Sequence, residues 1–319
     1  MTGEDESTDR YDCIIVGAGP AGLVAATYLA RFRRRVVVID GGESRARRIP
    51  IIANCPGFPE GISGIELLAR LREQAIRYDV AINDGLAGKI ENLQGGFAVW
   101  CDGRRLEASS ILLATGVVDV DPDMEDVGGN IARKALCLCP VCDGYEASGK
   151  KIGILGDDDH ALREALFLKT FSHDVSLLVR DNSEISPELR SKAQEEGVAV
   201  IEQIGAIESG TSGLVMVTPR KGVEFDVVYP ALGCNVRSDL AEGLGLELDE
   251  LGHIVVGRKQ ETSVEGIYAA GDVVHSLNQI AVAFGQAATA ATAIHHALPQ
   301  RPQKKRAPLT GDAPSTFWR

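Results

Sequence analysis

The residues with the clearest capacity for chemistry are two cysteines separated by two positions, Cys139-Pro140-Val141-Cys142. Two intervening residues let both thiols share one turn, reach disulfide geometry and lie beside a helix start, where a thiolate is stabilised. Such a pair cycles between dithiol and disulfide and so carries two electrons. A zinc half-site uses the same spacing but needs a second Cys or His pair. His295 and His296 are adjacent rather than spaced and Cys234 is solitary, so no metal is expected and the pair reads as redox-active. Cys137, two residues upstream, reads as a small buried hydrophobe.

A second group of residues is built to bind rather than react. Gly17-Ala18-Gly19-Pro20-Ala21-Gly22 follows the apolar run from Cys13 to Val16 and opens an Ala-rich helical stretch. Asp40 ends the next strand, Arg35 to Asp40. Strand, glycine turn, helix and acid together form a dinucleotide fingerprint in its required context. Gly17 permits the tight turn, Gly19 lets the backbone approach a pyrophosphate, and Gly22 lets helix and strand pack closely. The helix N-terminus supplies free N–H groups and a positive dipole. Asp40 is placed to accept a hydrogen bond from a ribose hydroxyl. The pattern alone does not separate FAD from NAD.

Two strand–turn–helix–strand units must position these groups. The first is the one just described. The second runs from Ile152-Gly153-Ile154-Leu155 through a turn into Ala161 to Thr170, then Val175 to Val179. Short apolar strands alternating with helices predict an α/β fold with parallel sheets. The first unit does not read as continuous. A strand at Ile111 to Leu113 closes at Ala114-Thr115-Gly116 and precedes the acidic bend Asp119 to Asp126. A glycine-rich stretch near Gly243 to Gly252 reads as the second crossing. After it, Ile267 to Ala270 ends in a Gly271-Asp272 turn, and an Ala-rich helix runs to about Leu298. The expected organisation is one domain, residues 118–247, inserted into another built from residues 1–117 and 248–319.

Composition narrows the partners. The chain has 319 residues with a formal net charge of -12, so neither nucleic acid nor an acidic membrane surface is expected as a partner. Met1 to Arg10 is polar and acidic, without the basic stretch and apolar run of a secretory signal. No window approaches the roughly 18 apolar residues of a membrane span. The seven cysteines are an odd, mostly scattered set, which is a poor disulfide framework and predicts a reducing cytoplasmic setting.

Cys139-Pro140-Val141-Cys142-Asp143-Gly144-Tyr145 resembles the Cys-x-x-Cys-Asp-Gly-aromatic segment of the low-molecular-weight thioredoxin reductases. The resemblance extends over nearly the whole chain: Gly17 to Gly22, Asn54-Cys55-Pro56-Gly57, Ala114-Thr115-Gly116, Ala269 to Asp272, and Asn278-Gln279-Ile280 before the final helix. It implies two Rossmann-like, three-layer ββα nucleotide-binding domains, one inserted into the other. It also implies a homodimer with FAD in the discontinuous domain and thioredoxin or a similar small redox protein as partner. By motif position Cys142 faces the flavin and forms the thiolate–flavin charge-transfer pair, while Cys139 exchanges with a partner disulfide. Asp143 is the acid/base; a plain turn residue before Gly144 is its other role. Asn54, Thr115, Gly116, Gly271, Asp272, Gln279 and Ile280 join Gly17, Gly19, Pro20, Ala21, Gly22 and Asp40 as the expected flavin contacts.

The chain departs from the family pattern at the second glycine turn. The family carries Gly-x-Gly-x-x-Ala, whereas this chain has Gly156-Asp157-Asp158-Asp159-His160-Ala161. Three carboxylates suit a helix N-terminus but repel a pyrophosphate. The 2′-phosphate-reading arginines are reduced to one in Val179-Arg180-Asp181-Asn182-Ser183-Glu184-Ile185. Ordinary NADPH binding is therefore not expected. Branches of the family that do not use NADPH imply three routes: reduction by ferredoxin, a second flavin in the altered pocket, or oxidation of a small dithiol with oxygen as acceptor. A flavin redox sensor without turnover is a further reading. Phe317-Trp318-Arg319 could place an aromatic ring on a flavin or simply be exposed.

Overall fold

The structure, a computed structural model, describes residues 10–180 and 185–300. Tyr11–Val16 is the centre of a seven-stranded sheet. It pairs in parallel with Val36–Asp40 on one side and Arg104–Leu113 on the other. Ala81–Asp84 extends the sheet beyond Val36–Asp40. Ile267–Ala269, from far along the chain, pairs in parallel with residues 111–113. The lower half of Arg104–Leu113 instead pairs antiparallel with Gly96–Cys101, which pairs antiparallel with Ala87–Leu93.

The continuous apolar character of the central strands follows from burial on both faces. Side chains alternate across the sheet, so Cys13, Ile15, Val36 and Val38 enter one core while Ile14, Val16, Val37 and Ile39 enter another. The first core is closed by two helices, Pro20–Arg31 and Ile280–Ala297. Their contact is built from small side chains, Ala21, Ala25, Ala283, Ala287 and Ala290, which lets the two helices approach closely. The second core takes Ala241, Leu244, Leu246 and Ile254 from the later chain.

A second, four-stranded parallel sheet has the order Ala199–Ile201, Val175–Leu178, Ile152–Leu155, Val227–Pro230. Asp159–Leu168 is the helix that follows its first strand, two residues earlier than the sequence pattern predicts. Three antiparallel strands, Ile207–Ser209, Leu214–Val217 and Gly222–Phe225, pack beside it. Between the two sheets the chain passes twice. Val117–Asp119 leads out, Cys234–Val236 leads back, and the two segments pair antiparallel. Both expected strand–turn–helix–strand units are present. None of the helices among the described residues is long and apolar enough to cross a membrane.

Candidate active site

The turn after Tyr11–Val16 shows why glycine is needed at two of its positions. Gly17 has φ +110°, and a Cβ there would lie 2.2 Å from the Ala114 carbonyl oxygen. A Cβ on Gly22 would lie 1.9 Å from the Gly17 carbonyl oxygen. Any side chain would push the helix off the strand. The Gly17 N–H donates to Ile39 O at 2.9 Å, tying the turn to the neighbouring strand.

This turn forms one end of a cleft enclosing about 1440 Å³ of space open to solvent. Gly17, Gly19, Pro20, Ala21 and Asp40 line that end, Asn54, Thr115, Gly116, Gly271, Asp272, Gln279 and Ile280 line the same cleft, and so do Cys139, Cys142 and Asp143. Gly22 is the one expected flavin contact outside the lining; it acts through packing. Asp40 is held rather than free. Its Oδ1 accepts from the Gly42 N–H at 2.8 Å and its Oδ2 pairs with Arg72.

Cys139 and Cys142 are disulfide-bonded, with Cα atoms 5.3 Å apart. Gln279 immediately precedes the helix Ile280–Ala297, and its amide Nε2 donates to both sulfurs, at 3.3 Å to Cys139 and 3.2 Å to Cys142. Its Oε1 accepts from Asn54 Nδ2 at 2.9 Å. Asn54 belongs to a loop closed by the Ile52–Ile62 bridge. Three segments far apart in sequence thus meet at the disulfide.

Asp143 ends the short helix Pro140–Asp143. Burial pushes its carboxyl above the usual range, and the neighbouring Tyr229 hydroxyl and Cys137 thiol offset this only in part. Its Oδ1 is buried without a hydrogen-bond partner. Cys137 is 8% exposed. Burial first, then the Asp143 charge, push its thiol far upward, which disfavours the thiolate a nucleophile requires.

Several cleft residues escape sequence reasoning. Arg45 makes two contacts with Asp119, at 2.7 and 3.0 Å, and one with Asp272 at 3.4 Å. Burial raises the Asp272 carboxyl even with Arg45 beside it to favour the charge. Arg237 lines the same stretch; its backbone carbonyl accepts from Thr115 Oγ1 at 2.6 Å. Asn278 also lines it, with Oδ1 buried and unpartnered. The arginine run Arg45, Arg47 and Arg48 is a signal that could have directed attention to the first of these.

The residues present fit a dinucleotide. The walls combine apolar side chains such as Ala18, Ala21, Ile49, Ile52 and Ala283 with polar ones such as Asn54, Thr115, Asp272 and Gln279. Asn278 and Asp143, two of the lining residues, each keep a buried side-chain oxygen without a hydrogen-bond partner.

The second glycine turn is different. Asp158 precedes the helix Asp159–Leu168, and its Oδ1 accepts from the Ala161 N–H at 2.8 Å. Asp159 Oδ1 accepts from the Ser186 N–H at 2.7 Å. Arg180 Nη2 reaches the Asp123 carbonyl at 3.5 Å. Asp181, Asn182, Ser183, Glu184 and the Phe317-Trp318-Arg319 end lie outside the described residues.

Comparison with known proteins agrees with this geometry. The family model for pyridine nucleotide-disulphide oxidoreductases matches residues 11–287. A thioredoxin reductase from Mycolicibacterium smegmatis is 33% identical over 300 residues, covering 88% of this chain and 94% of that protein. The crystal structure of thioredoxin reductase from Streptococcus pyogenes superimposes with a TM-score of 0.85 at 28% identity, covering 91% of this chain and 98% of that one. The crystal structure of HlmI gives a TM-score of 0.83 at 31% identity, over 90% of this chain and 92% of that one. The chain belongs to the pyridine nucleotide-disulphide oxidoreductase family, as an FAD-dependent disulfide oxidoreductase of the low-molecular-weight thioredoxin reductase type.

Proposed function

We propose that this protein moves electrons between FAD and a dithiol/disulfide partner through Cys139 and Cys142, without drawing them from NADPH in the ordinary way. The observation that carries the reading is the continuity of the cleft, from the Gly17–Gly22 turn to the disulfide. FAD, when bound, supplies a two-electron redox centre. Gly17, Gly19, Pro20 and Ala21 would hold its pyrophosphate and Asp40 a ribose, with Gly22 keeping the helix close on the strand. Asn54, Thr115, Gly116, Gly271, Asp272, Gln279 and Ile280 would hold the rest. The division into a discontinuous FAD unit and a 118–247 insert belongs to the same proposal. The packing of Ala241, Leu244 and Leu246 into the first unit's core supports a return a few residues earlier.

The sulfur chemistry balances without further reagents. In the dithiol state the Cys139 thiolate attacks a partner disulfide, forming a mixed disulfide and releasing one partner thiolate. Cys142 then attacks Cys139 Sγ, restoring the internal bond and releasing the second thiolate. Two electrons and two protons pass to the partner. Asp143, next to Cys142 in the chain, would hold a proton for the exchange, and the burial that favours its protonated form supports this reading. Gln279 Nε2 orients both sulfurs. A thioredoxin-like protein is the partner by likeness to relatives named thioredoxin reductases, and the homodimer is carried on the resemblance.

Departure from NADPH is supported by the Asp158 carboxylate on the Ala161 N–H. The helix end that would receive a pyrophosphate already holds the protein's own charge. The same observation favours a second reading, in which a small dithiol is the electron source and oxygen the acceptor. The dithiol becomes a disulfide and oxygen becomes hydrogen peroxide. The test is anaerobic rapid mixing of the FAD-loaded protein with NADPH, NADH, reduced ferredoxin and dithiols, following loss of flavin colour. Dithiols or ferredoxin are expected to bleach it far faster than NADPH. Rapid, saturable bleaching at low NADPH concentration would overturn the proposal. In air, peroxide formed from dithiols without added thioredoxin selects the second reading. Slow reoxidation without turnover under any donor would make the protein a flavin sensor; a second flavin in the altered pocket remains, beside ferredoxin, a route by which electrons would enter a catalytic protein.

A further inference from the structure

One cluster of side chains takes no part in the chemistry above: Asp249, His253 and His275. The chain from Leu248 to Ile254 folds back on itself, with Leu248 and Ile254 bridged antiparallel and Ile254 bridged in parallel to Val274. Ile254 and Val274 are 1% and 4% exposed and belong to the core. Extended backbone alternates its side chains, so their neighbours His253 and His275 emerge together on the opposite face. The two rings lie 5.1 Å apart.

Asp249 closes the third side. Its Oδ1 accepts from the backbone N–H groups of Leu251 and His253, both at 2.9 Å. Those bonds orient the carboxylate in the way outer-shell partners orient a metal ligand. Oδ2 is left facing the imidazoles, 2.7 Å from His275 Nδ1 and 3.3 Å from His253 Nδ1. One donor atom from each residue falls within 4.8 Å of the others.

A hydrogen bond accounts for the Asp249–His275 contact, whereas His253 Nδ1 stands at ion-pair distance from the same oxygen, 3.3 Å, without hydrogen-bond geometry. His253 is 9% exposed, and its Nδ1 is buried without a hydrogen-bond partner. A buried ring nitrogen in that state is unfavourable unless something else uses its lone pair. Metal–ligand bonds of about 2.0–2.2 Å put tetrahedral neighbours roughly 3.3–3.5 Å apart. The Asp249–His253 separation already matches. The Asp249–His275 separation, 2.7 Å, must lengthen by roughly 0.6–0.8 Å, within reach of a side chain that is 68% exposed.

We propose that Asp249, His253 and His275 form a site for one divalent transition metal of the zinc class, with water completing its shell. Two imidazoles and a carboxylate suit such an ion, and three protein ligands leave an open position. The stretch that carries His275 begins at Asp272, which lines the cleft. Occupancy fastens that stretch to the Leu248–Ile254 turn.

The test uses the full chain with FAD bound, freed of metal by chelation and kept with the Cys139–Cys142 disulfide oxidised. Zn²⁺ alone is titrated calorimetrically, and Co²⁺ is titrated while its visible absorption is followed. One equivalent is expected, with affinity falling at least tenfold in both His275→Ala and Asp249→Asn. His275 is exposed, so its replacement leaves the fold intact, which circular dichroism checks. Zn²⁺ is also expected to raise the melting temperature of the natural protein and not of His275→Ala. The proposal is overturned by the absence of saturable binding, or by binding in the two variants as tight as in the natural protein. Sulfur-to-cobalt absorption, which would assign the ion to cysteines, overturns it equally.

Discussion

Asp158 offers the sharpest test of how this protein treats nicotinamide cofactors. Its carboxylate caps the helix at Ala161 N–H and, on the reading proposed above, stands where a pyrophosphate would approach. Two substitutions separate those effects. Asn caps as well as Asp, so Asp158→Asn removes charge while keeping the cap. Asp158→Gly removes the charge and the side chain, and costs only about a few tenths of a kcal/mol in stability. Asp158 is solvent-exposed, so each like-charge contact is worth about 1 kcal/mol, the value for full solvation at ~4 Å. Two phosphate charges bring this to about 2 kcal/mol, or roughly 30-fold in affinity. The assay is anaerobic stopped-flow reduction of the flavin as a function of NADH and NADPH concentration. Asp158→Asn is expected to strengthen both by roughly 30-fold or less, since both carry a pyrophosphate. Asp158→Gly is expected to gain at least as much. The gain shrinks as ionic strength rises, because exposed charges are screened. If both substitutions leave nicotinamide binding unchanged at low salt, electrostatic blockade is the wrong account. A gain confined to NADPH would refute it too, since it would point to the 2′-phosphate.

Other perturbations address the sulfur end and the turn. Cys142→Ser is expected to abolish long-wavelength thiolate-to-flavin absorbance while Cys139→Ser keeps or strengthens it; the reverse result would exchange their roles. Burial raises the Asp143 carboxyl, so the folded protein favours its protonated form. Ionised and buried above that raised value, Asp143 destabilises the fold, and below the ordinary carboxylate range it is neutral in both states. Asp143→Asn is therefore expected to raise the melting temperature at neutral and higher pH, with the gain vanishing in acid, while slowing disulfide exchange; a gain independent of pH would contradict the assignment. Gly22→Ala drives a Cβ toward the Gly17 carbonyl and is expected to cost about 1–3 kcal/mol by overpacking. FAD retention on gel filtration should fall with it, and full retention with unchanged stability would show that the turn relaxes freely.

What could be read from the chain alone was whatever its neighbours in sequence decide. Gly17, Gly22 and Asp40 lie within one strand–turn–helix–strand unit, so their spacing announces their use. Cys139 and Cys142 share a turn, and Asp158 caps its own helix three residues on. These are short-range constraints, and short range leaves a pattern. Where patterns ended, tertiary structure decided. The Asn54–Gln279 hydrogen bond spans 225 residues, and the bond from Gln279 to Cys142 spans 137. Arg45 is set between Asp119 and Asp272 by the packing of three separate segments. Asp249, His253 and His275, which the sequence reading did not single out, are gathered because Ile254 and Val274 bridge. A contact of that kind has no period and no fixed spacing. Its energy comes from burying apolar neighbours such as Ile254 and Val274, and the polar groups beside them are carried into place by that burial.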